Sequence, residues 1–130
     1  MIEFTWDHLQ LCSVDAEATA AWFARCLNAD IVRRPGRVDV RLGSINLFIT
    51  PLPDAPGGRP LQGEKAQGID HFGVLVDDLD AAFDHLVRCD AEIVEPVTQV
   101  RAGVRACFVR SPGDILIEIL ERRPAEMTFT

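Results

Sequence analysis

The amino-acid sequence predicts an α+β fold made of two copies of one unit, each a strand, a helix and three further strands. Three observations carry that prediction. Two short apolar runs each open on an Asp-His pair, Asp7-His8-Leu9-Gln10-Leu11 and Asp70-His71-Phe72-Gly73-Val74-Leu75-Val76, and each alternates as a half-buried strand should. A segment of helical period follows each run. Residues also echo between the halves: Arg25-Cys26 before Ala29-Asp30-Ile31-Val32 returns as Arg88-Cys89 before Ala91-Glu92-Ile93-Val94, and Ile45-Asn46-Leu47 is matched to Ile117-Glu118-Ile119.

Taken in order, Ile2 to Cys12 is expected to be a strand. Asp15 caps a helix over Ala16 to Leu27, in which Ala20, Phe23 and Leu27 form a core stripe. Ala29 to Val32 begins a second strand, Pro35-Gly36 turns the chain, and Arg37 to Leu42 alternates charged and apolar residues. Gly43-Ser44 leads into Ile45 to Thr50. Pro51 to Gly68 holds Pro51, Pro53, Pro56 and Pro60 and reads as a linker, so the first module spans 1–50 and the linker 51–68. In the second module, 69–121, the order repeats: a strand Ile69 to Val76, then a helix behind Asp78. Its apolar face is Leu79, Ala82, Phe83, Leu86 and Val87, leaving His85 solvated. Strands at Ala91 to Val94, Val104 to Val109 and Ile115 to Leu120 follow, the last two joined by the turn Ser111 to Asp114, with a tail over 122–130.

Composition narrows the function classes. The chain has 130 residues, 48% of them hydrophobic, enough for a core without staples. A formal charge of −7 with no basic stripe repels phosphate backbones and anionic lipid, so neither nucleic acid nor a membrane is an expected partner. No apolar stretch is long enough to span a bilayer and no signal core is present, which predicts a cytoplasmic protein. Cys12, Cys26, Cys89 and Cys107 lack close CxxC spacing and are read as reduced, mostly buried thiols.

His8 and His71 leave the core face together, because the apolar residues after each occupy the opposite side of the strand. A histidine satisfied by one core hydrogen bond is the plain alternative for either alone. Glu118 sits among five apolar residues, Ile115-Leu116-Ile117-Glu118-Ile119-Leu120, where a carboxylate needs a metal or an arginine as partner.

With these units, the histidine opening each, and the closing run Ser111 to Leu120, the chain resembles the vicinal oxygen chelate superfamily of glyoxalase I, methylmalonyl-CoA epimerase, extradiol dioxygenases and fosfomycin- and bleomycin-resistance proteins. That resemblance implies two curved mixed sheets enclosing a cup, and a divalent ion (iron, manganese, nickel, cobalt or zinc) on His8, His71 and Glu118. Asn46 stands where glyoxalase I has a glutamate and the epimerase a glutamine, as a ligand or as a strand amide bonded to backbone. Strand alternation then lines the cup with Trp6, Gln10 and Cys12, with Ser44 and Phe48, with Gly73 and Leu75, and with Leu116 and Leu120. Trp6, Gln10, Phe48 and Leu116 are the expected substrate contacts in a mostly apolar pocket.

The resemblance implies an isomerase, epimerase or lyase. Its small substrate would chelate the ion through neighbouring oxygens and pass through an enediolate, with Glu118 as the base and Glu95 or a linker residue as its substitute. An iron(II) extradiol-type dioxygenase is the alternative, although the chain has no Tyr. A non-catalytic small-molecule binding or drug-resistance protein, holding an aromatic ligand against Trp6 and Phe48, is the other. Small members of the family pair, so the resemblance also implies a homodimer whose sites take His8 from one chain and His71 with Glu118 from the other.

Overall fold

In each half of the chain one helix lies on a four-stranded sheet, and strand alternation decides which side chains it covers. The structure is a computed structural model in which residues 2–3, 5–52 and 69–124 are described. They fall in two compact units, Met1–Gly57 and Gly58–Thr130. Most of the expected linker and tail lies outside the described residues.

The first unit runs β1 (His8–Ser13), α1 (Ala16–Leu27), β2 (Asp30–Arg34), β3 (Arg37–Leu42) and β4 (Ile45–Pro51). Its sheet order is β1-β4-β3-β2, with β1 parallel to β4 and the other pairs antiparallel. The helix begins and ends where the sequence places it. The Asp15 carboxylate accepts from the Ala18 N–H at 3.0 Å, and Asn28 closes the helix in the left-handed conformation at φ 56°. Ala20 and Phe23 on α1 are buried with Val38, Val40, Leu47 and Ile49 of the sheet. Alternation therefore sends His8, Gln10, Cys12, Asn46, Phe48 and Thr50 to the opposite face. A two-residue turn with Gly43 at φ 61° joins β3 to β4, a first-position geometry that glycine adopts without strain.

The second unit repeats the plan with β5 (Phe72–Leu75), α2 (Leu79–Arg88), β6 (Glu92–Arg101), β7 (Val104–Ser111) and β8 (Ile115–Arg122), in sheet order β5-β8-β7-β6. Asp78 caps α2 through the Ala81 N–H at 3.0 Å. Cys107, Val109, Ile117 and Ile119 are buried on one face, while Glu118, Phe108 and Gly73 fall on the other. Val104, Ala106 and Leu120 form a second buried cluster on the Glu118 face.

Several boundaries differ from the sequence expectation. The first strand begins at His8, not Ile2, and β5 begins at Phe72, so His71 precedes the strand it was assigned to. β6 is longer than Ala91 to Val94 and passes through Pro96 to Arg101. It tolerates a proline because it is the sheet's edge and its pairing with β7 is broken by three register shifts. β4 reaches Pro51, and the Leu52 N–H still donates to the Ser13 carbonyl at 2.7 Å. On α2, Val87 is exposed and His85 is half-buried, with Nε2 3.6 Å from Cys89 Sγ. Only Cys26 and Cys107 are buried thiols; Cys89 is intermediate, Cys12 is exposed, and none of the four is joined in a disulfide.

In the second unit it is Glu121, not Glu118, that is buried with arginines. Its side chain is 3% exposed, with Oε2 3.1 Å from Arg105 Nη2 and Oε1 3.4 Å from Arg123 Nη2. The Leu79 N–H, in the first turn of α2, also donates to Oε1 at 3.4 Å. Burial works against the Arg105 charge, but hydrogen bonds to Asp80 and Glu121 outweigh it and raise the guanidinium pKa. Glu121 thus ties β7, β8 and the start of α2 together. Replacing it by Ala leaves Arg105 without its buried partner and is expected to cost roughly 3 kcal/mol in denaturant unfolding. Glu92→Ala, which breaks the pair of Arg110 with a 63%-exposed carboxylate, should cost less than about 1 kcal/mol. Equal losses would remove the special role of Glu121.

Candidate functional site

In the second unit the parallel pairing of β5 with β8 sets Gly73 opposite Glu118, and His71, just ahead of β5, leans onto the same carboxylate. His71 Nε2 lies 3.4 Å from Glu118 Oε1, with the two side chains 32% and 17% exposed. The other ring nitrogen, Nδ1, donates to Asp70 Oδ2 at 2.8 Å. A carboxylate only accepts, so Nδ1 carries the proton and a neutral His71 keeps its lone pair on Nε2. The ring also meets Phe108 edge-on, with centroids 5.2 Å apart. Gly73 leaves room beside this pair, since a Cβ there would come within 3.3 Å of Leu120 Cδ2 and 3.7 Å of Glu118 Oε1.

In the first unit His8 repeats half of this arrangement. Its Nδ1 donates to Asp7 Oδ2 at 2.6 Å, again leaving Nε2 as the free donor atom. Its imidazole stacks on Phe48 with centroids 4.1 Å apart and planes at 18°. The Arg37 guanidinium lies 3.8 Å over the same ring. Two groups that close to one ring centre cannot share a face, so Phe48 is sandwiched between His8 and Arg37. Arg37 in turn grips Asp39 with two hydrogen bonds of 2.7 and 3.1 Å.

Register aligns the two units more exactly than residue echoes do. Gln10 pairs with Phe48 as Gly73 pairs with Glu118, and His8 and His71 each stand two residues before those positions. The counterpart of Glu118 is therefore Phe48, and Asn46 corresponds to Leu116. The match of Ile45-Asn46-Leu47 to Ile117-Glu118-Ile119 is off by two residues. It hid the shift because Ile, Leu and Ile alternate through both strands. Asn46 does lie on the His8 face, directly across from His8 in β1 and from Arg41 in β3.

The remaining candidates divide as follows. Trp6 is 66% exposed and lies ahead of β1. Gln10 donates to Thr50 Oγ1 at 3.4 Å and is tied into the sheet surface. Leu116 is half-buried on the Glu118 side of β8, across from Arg110. Glu95 pairs in register with Phe108, which pairs with Glu118, so it stands in the same row about 10 Å away, two strand spacings. Around His8 the sheet face is more charged than expected, with Arg37, Asp39 and Arg41 on it. A cleft of about 400 Å³ in this unit is lined by Val14, Glu17, Arg33 and Arg37, away from His8. Sequence reasoning missed Asp7 and Asp70, although the recurrence of Asp before His was the available signal.

Among the described residues no three His, Cys, Asp or Glu side chains converge at one point. The donor chemistry nevertheless fits a divalent ion: an imidazole nitrogen and a carboxylate oxygen 3.4 Å apart match two ligands on bonds of about 2.1 Å, which sit roughly 3.0–3.4 Å from each other. The carboxylates behind Nδ1 are the supports such ligands use.

The profile of the Glyoxalase/Bleomycin resistance protein/Dioxygenase superfamily matches residues 5–119. The chain belongs to that superfamily. Among curated proteins it is 35% identical over 82 residues to the uncharacterized protein YaeR of Escherichia coli (strain K12), a match covering 60% of this chain and 57% of that one. Solved structures of the same fold include a protein from the mobile metagenome of V. Pseudocholerae, at 20% identity and TM-score 0.73 over 95% of this chain and 98% of that one. A glyoxalase/bleomycin resistance protein/dioxygenase from Alicyclobacillus acidocaldarius aligns at 16% identity and TM-score 0.70 over 94% of each chain. A genomically encoded fosfomycin resistance protein from Listeria monocytogenes aligns at 14% identity and TM-score 0.71, over 95% and 96% of the two chains. At such identities the likeness is one of fold. No helix among the described residues is long and apolar enough to cross a membrane.

The superfamily fold leaves one thiol open on the His8 face. Burial pushes Cys107 up to about 11, so roughly 0.1% of it is thiolate at pH 8, whereas Cys12 is exposed beside Thr50. Iodoacetamide on native protein at pH 8 should label Cys12 first and spare Cys26 and Cys107 until denaturant is added, as read by peptide mass mapping. Cys107 labelled as fast as Cys12 would show that the second unit's sheet face is not closed.

Proposed function

We propose that this superfamily member is a metal-dependent enzyme in which His8, His71 and Glu118 hold one divalent ion and act on a small substrate that chelates it through neighbouring oxygens. The observation that supports this most is the contact of His71 Nε2 with Glu118 Oε1, with Nδ1 turned to Asp70 and the same Asp-His contact repeated at His8. Structural histidines have no need to present the same nitrogen twice.

The ion, when bound, would supply Lewis acidity to a substrate carbonyl. The chain's own residues then divide the work. Asp7 and Asp70 fix the tautomer of each imidazole. Glu118 is the base: a carboxylate has two oxygens, so one can face the ion while the other takes the proton next to the carbonyl. Glu95, in the same row, is the substitute base. Gly73 keeps the approach to Glu118 open. This describes an isomerase, epimerase or lyase of the glyoxalase type.

One observation favours a second reading. Phe48 at the counterpart of Glu118 means the first unit brings a histidine without a carboxylate, leaving a two-histidine, one-carboxylate set with several open positions. That set suits iron(II) and dioxygen chemistry on a catechol-like substrate. Sequestration of a flat aromatic ligand against Phe48 has less support, because both faces of that ring are covered. We further propose a homodimer that shares its sites between chains, with His8 from one and His71 and Glu118 from the other.

Elemental analysis of protein purified without chelators should find about one transition metal per chain. A screen of α-hydroxycarbonyl, acyl-thioester and catechol substrates should then separate the proton-transfer and oxygen readings. His71→Ala and Glu118→Ala should each weaken metal binding by roughly 100-fold or more, and Asp70→Asn by about 10-fold, while His85→Ala does nothing. Equal effects at His85 would sink the ligand assignment. The register reading expects Asn46→Glu to leave affinity unchanged, and a tenfold tightening would put Asn46 in the ligand set. For assembly, refolding a mixture of His8→Ala and His71→Ala chains should restore part of the metal binding through hybrid dimers. A monomer by light scattering would rule the shared site out.

A further inference from the structure

The two units hold equivalent histidines by different means. In the second unit the residues at three matching positions of the last two strands are Ala106, Phe108 and Glu118; in the first they are Arg37, Asp39 and Phe48, as the register of β3 with β4 and of β7 with β8 sets them. The three in the first unit form one connected device. Asp39, 6% exposed, receives both prongs of Arg37 at 2.7 and 3.1 Å, and Arg34 Nε lies 3.5 Å from its Oδ2. The guanidinium so held is planar and cannot turn away without breaking two hydrogen bonds, and it lies 3.8 Å over Phe48. Phe48, on a strand flanked by β1 and β3, passes that constraint to the His8 ring stacked 4.1 Å away on its other face.

We propose that Phe48, braced by Arg37 and Asp39, is a positioning residue that sets the plane of the His8 imidazole where the second unit instead places a carboxylate. The inference builds on the metal reading given above for the use the imidazole is put to. His8 stands in the first pair of β1, and its side chain turns about two torsions. Asp7 restrains rotation about the ring axis from one side, but that carboxylate is 88% exposed and exchanges with water. The stack supplies the missing restraint. It holds the imidazole plane within 18° of the phenyl plane, so Nε2 is confined to that plane. In the second unit His71 needs no such brace, because Glu118 lies 3.4 Å from its Nε2. Losing a carboxylate and gaining a braced aromatic are therefore two sides of one change, which keeps a single well-aimed nitrogen donor in the first unit.

The test uses full-length, metal-free, isotope-labelled protein, with cobalt(II) as the metal probe. In the wild type the His8 ring protons should show the upfield displacement of a ring lying over an aromatic face. Phe48→Leu and Arg37→Gln should abolish or reduce it, and should lower cobalt affinity by about tenfold, the scale of a lost ligand support. Phe48→Tyr, which keeps the ring, should restore both readouts, and Arg33→Gln, which breaks the exposed pair with Glu17 on α1, should change neither. Circular dichroism of each variant checks the fold, and Arg37→Gln with Phe48→Tyr carry the test if Phe48→Leu unfolds. His8 ring shifts that stay at the wild-type position in Arg37→Gln and Phe48→Leu overturn the brace, whatever cobalt does. Expected ring shifts with no cobalt uptake by the wild type would instead overturn the metal reading alone and leave the brace standing.

Discussion

The parallel pairing of the first strand of each unit with its last is the constraint on which the rest depends. Within a unit all other neighbours are antiparallel and joined by turns, so they bring together residues close in sequence. Only β1 with β4 and β5 with β8 join the two ends of a unit, and a parallel pair needs a long connection between its strands, here helix and hairpin together. The contacts of each histidine with the last strand of its unit are made across these two pairs. His71 meets Glu118 and His8 meets Phe48 because the helix and the two intervening strands return the chain alongside its start. The caps at Asp15 and Asp78 set where each helix begins and thereby fix that return.

Buried charge is handled by the same economy in both units, though on opposite faces. Glu121 lies on the helix-covered side of the second sheet, where it joins a helix start to two arginines. Asp39 lies on the His8 side of the first sheet, where two arginines hold it. A carboxylate removed from water needs such partners, since the desolvation of a lone charge costs several kcal/mol. Glu118 differs from both. Its Oε1 lies 3.4 Å from an imidazole nitrogen, a group that can also ligate a cation, rather than in the fork of a guanidinium.

Membership of the superfamily accounts for the fold and the repeat and leaves the activity open, since related folds carry unrelated reactions and the relatives aligned by structure share 14–20% identity with this chain. Within that fold the two halves of this chain differ at matching positions. One half keeps an imidazole beside a carboxylate. The other keeps the imidazole and replaces the carboxylate with a sandwiched phenyl ring.

Local signals in the sequence were sufficient for the strand-helix-three-strand order, for the extent of α1, for both aspartate caps and for the face on which His8 and Glu118 lie, because alternation and capping act over a few residues. Asp7 and Asp70 were missed although each is adjacent to its histidine, because an exposed aspartate beside a histidine shows its contact only once the ring is placed. Register was not legible either. Strands of regularly alternating isoleucine and leucine can slide by two residues without exposing one apolar side chain, so nothing local distinguished Asn46 from Phe48 as the counterpart of Glu118. Nor could composition say that Glu121, three residues beyond Glu118 and on the other face, would be the carboxylate that pairs with arginine. Those assignments belong to the tertiary structure, because hydrogen-bonded pairing across a sheet selects one register out of several that the apolar pattern alone leaves equal in energy.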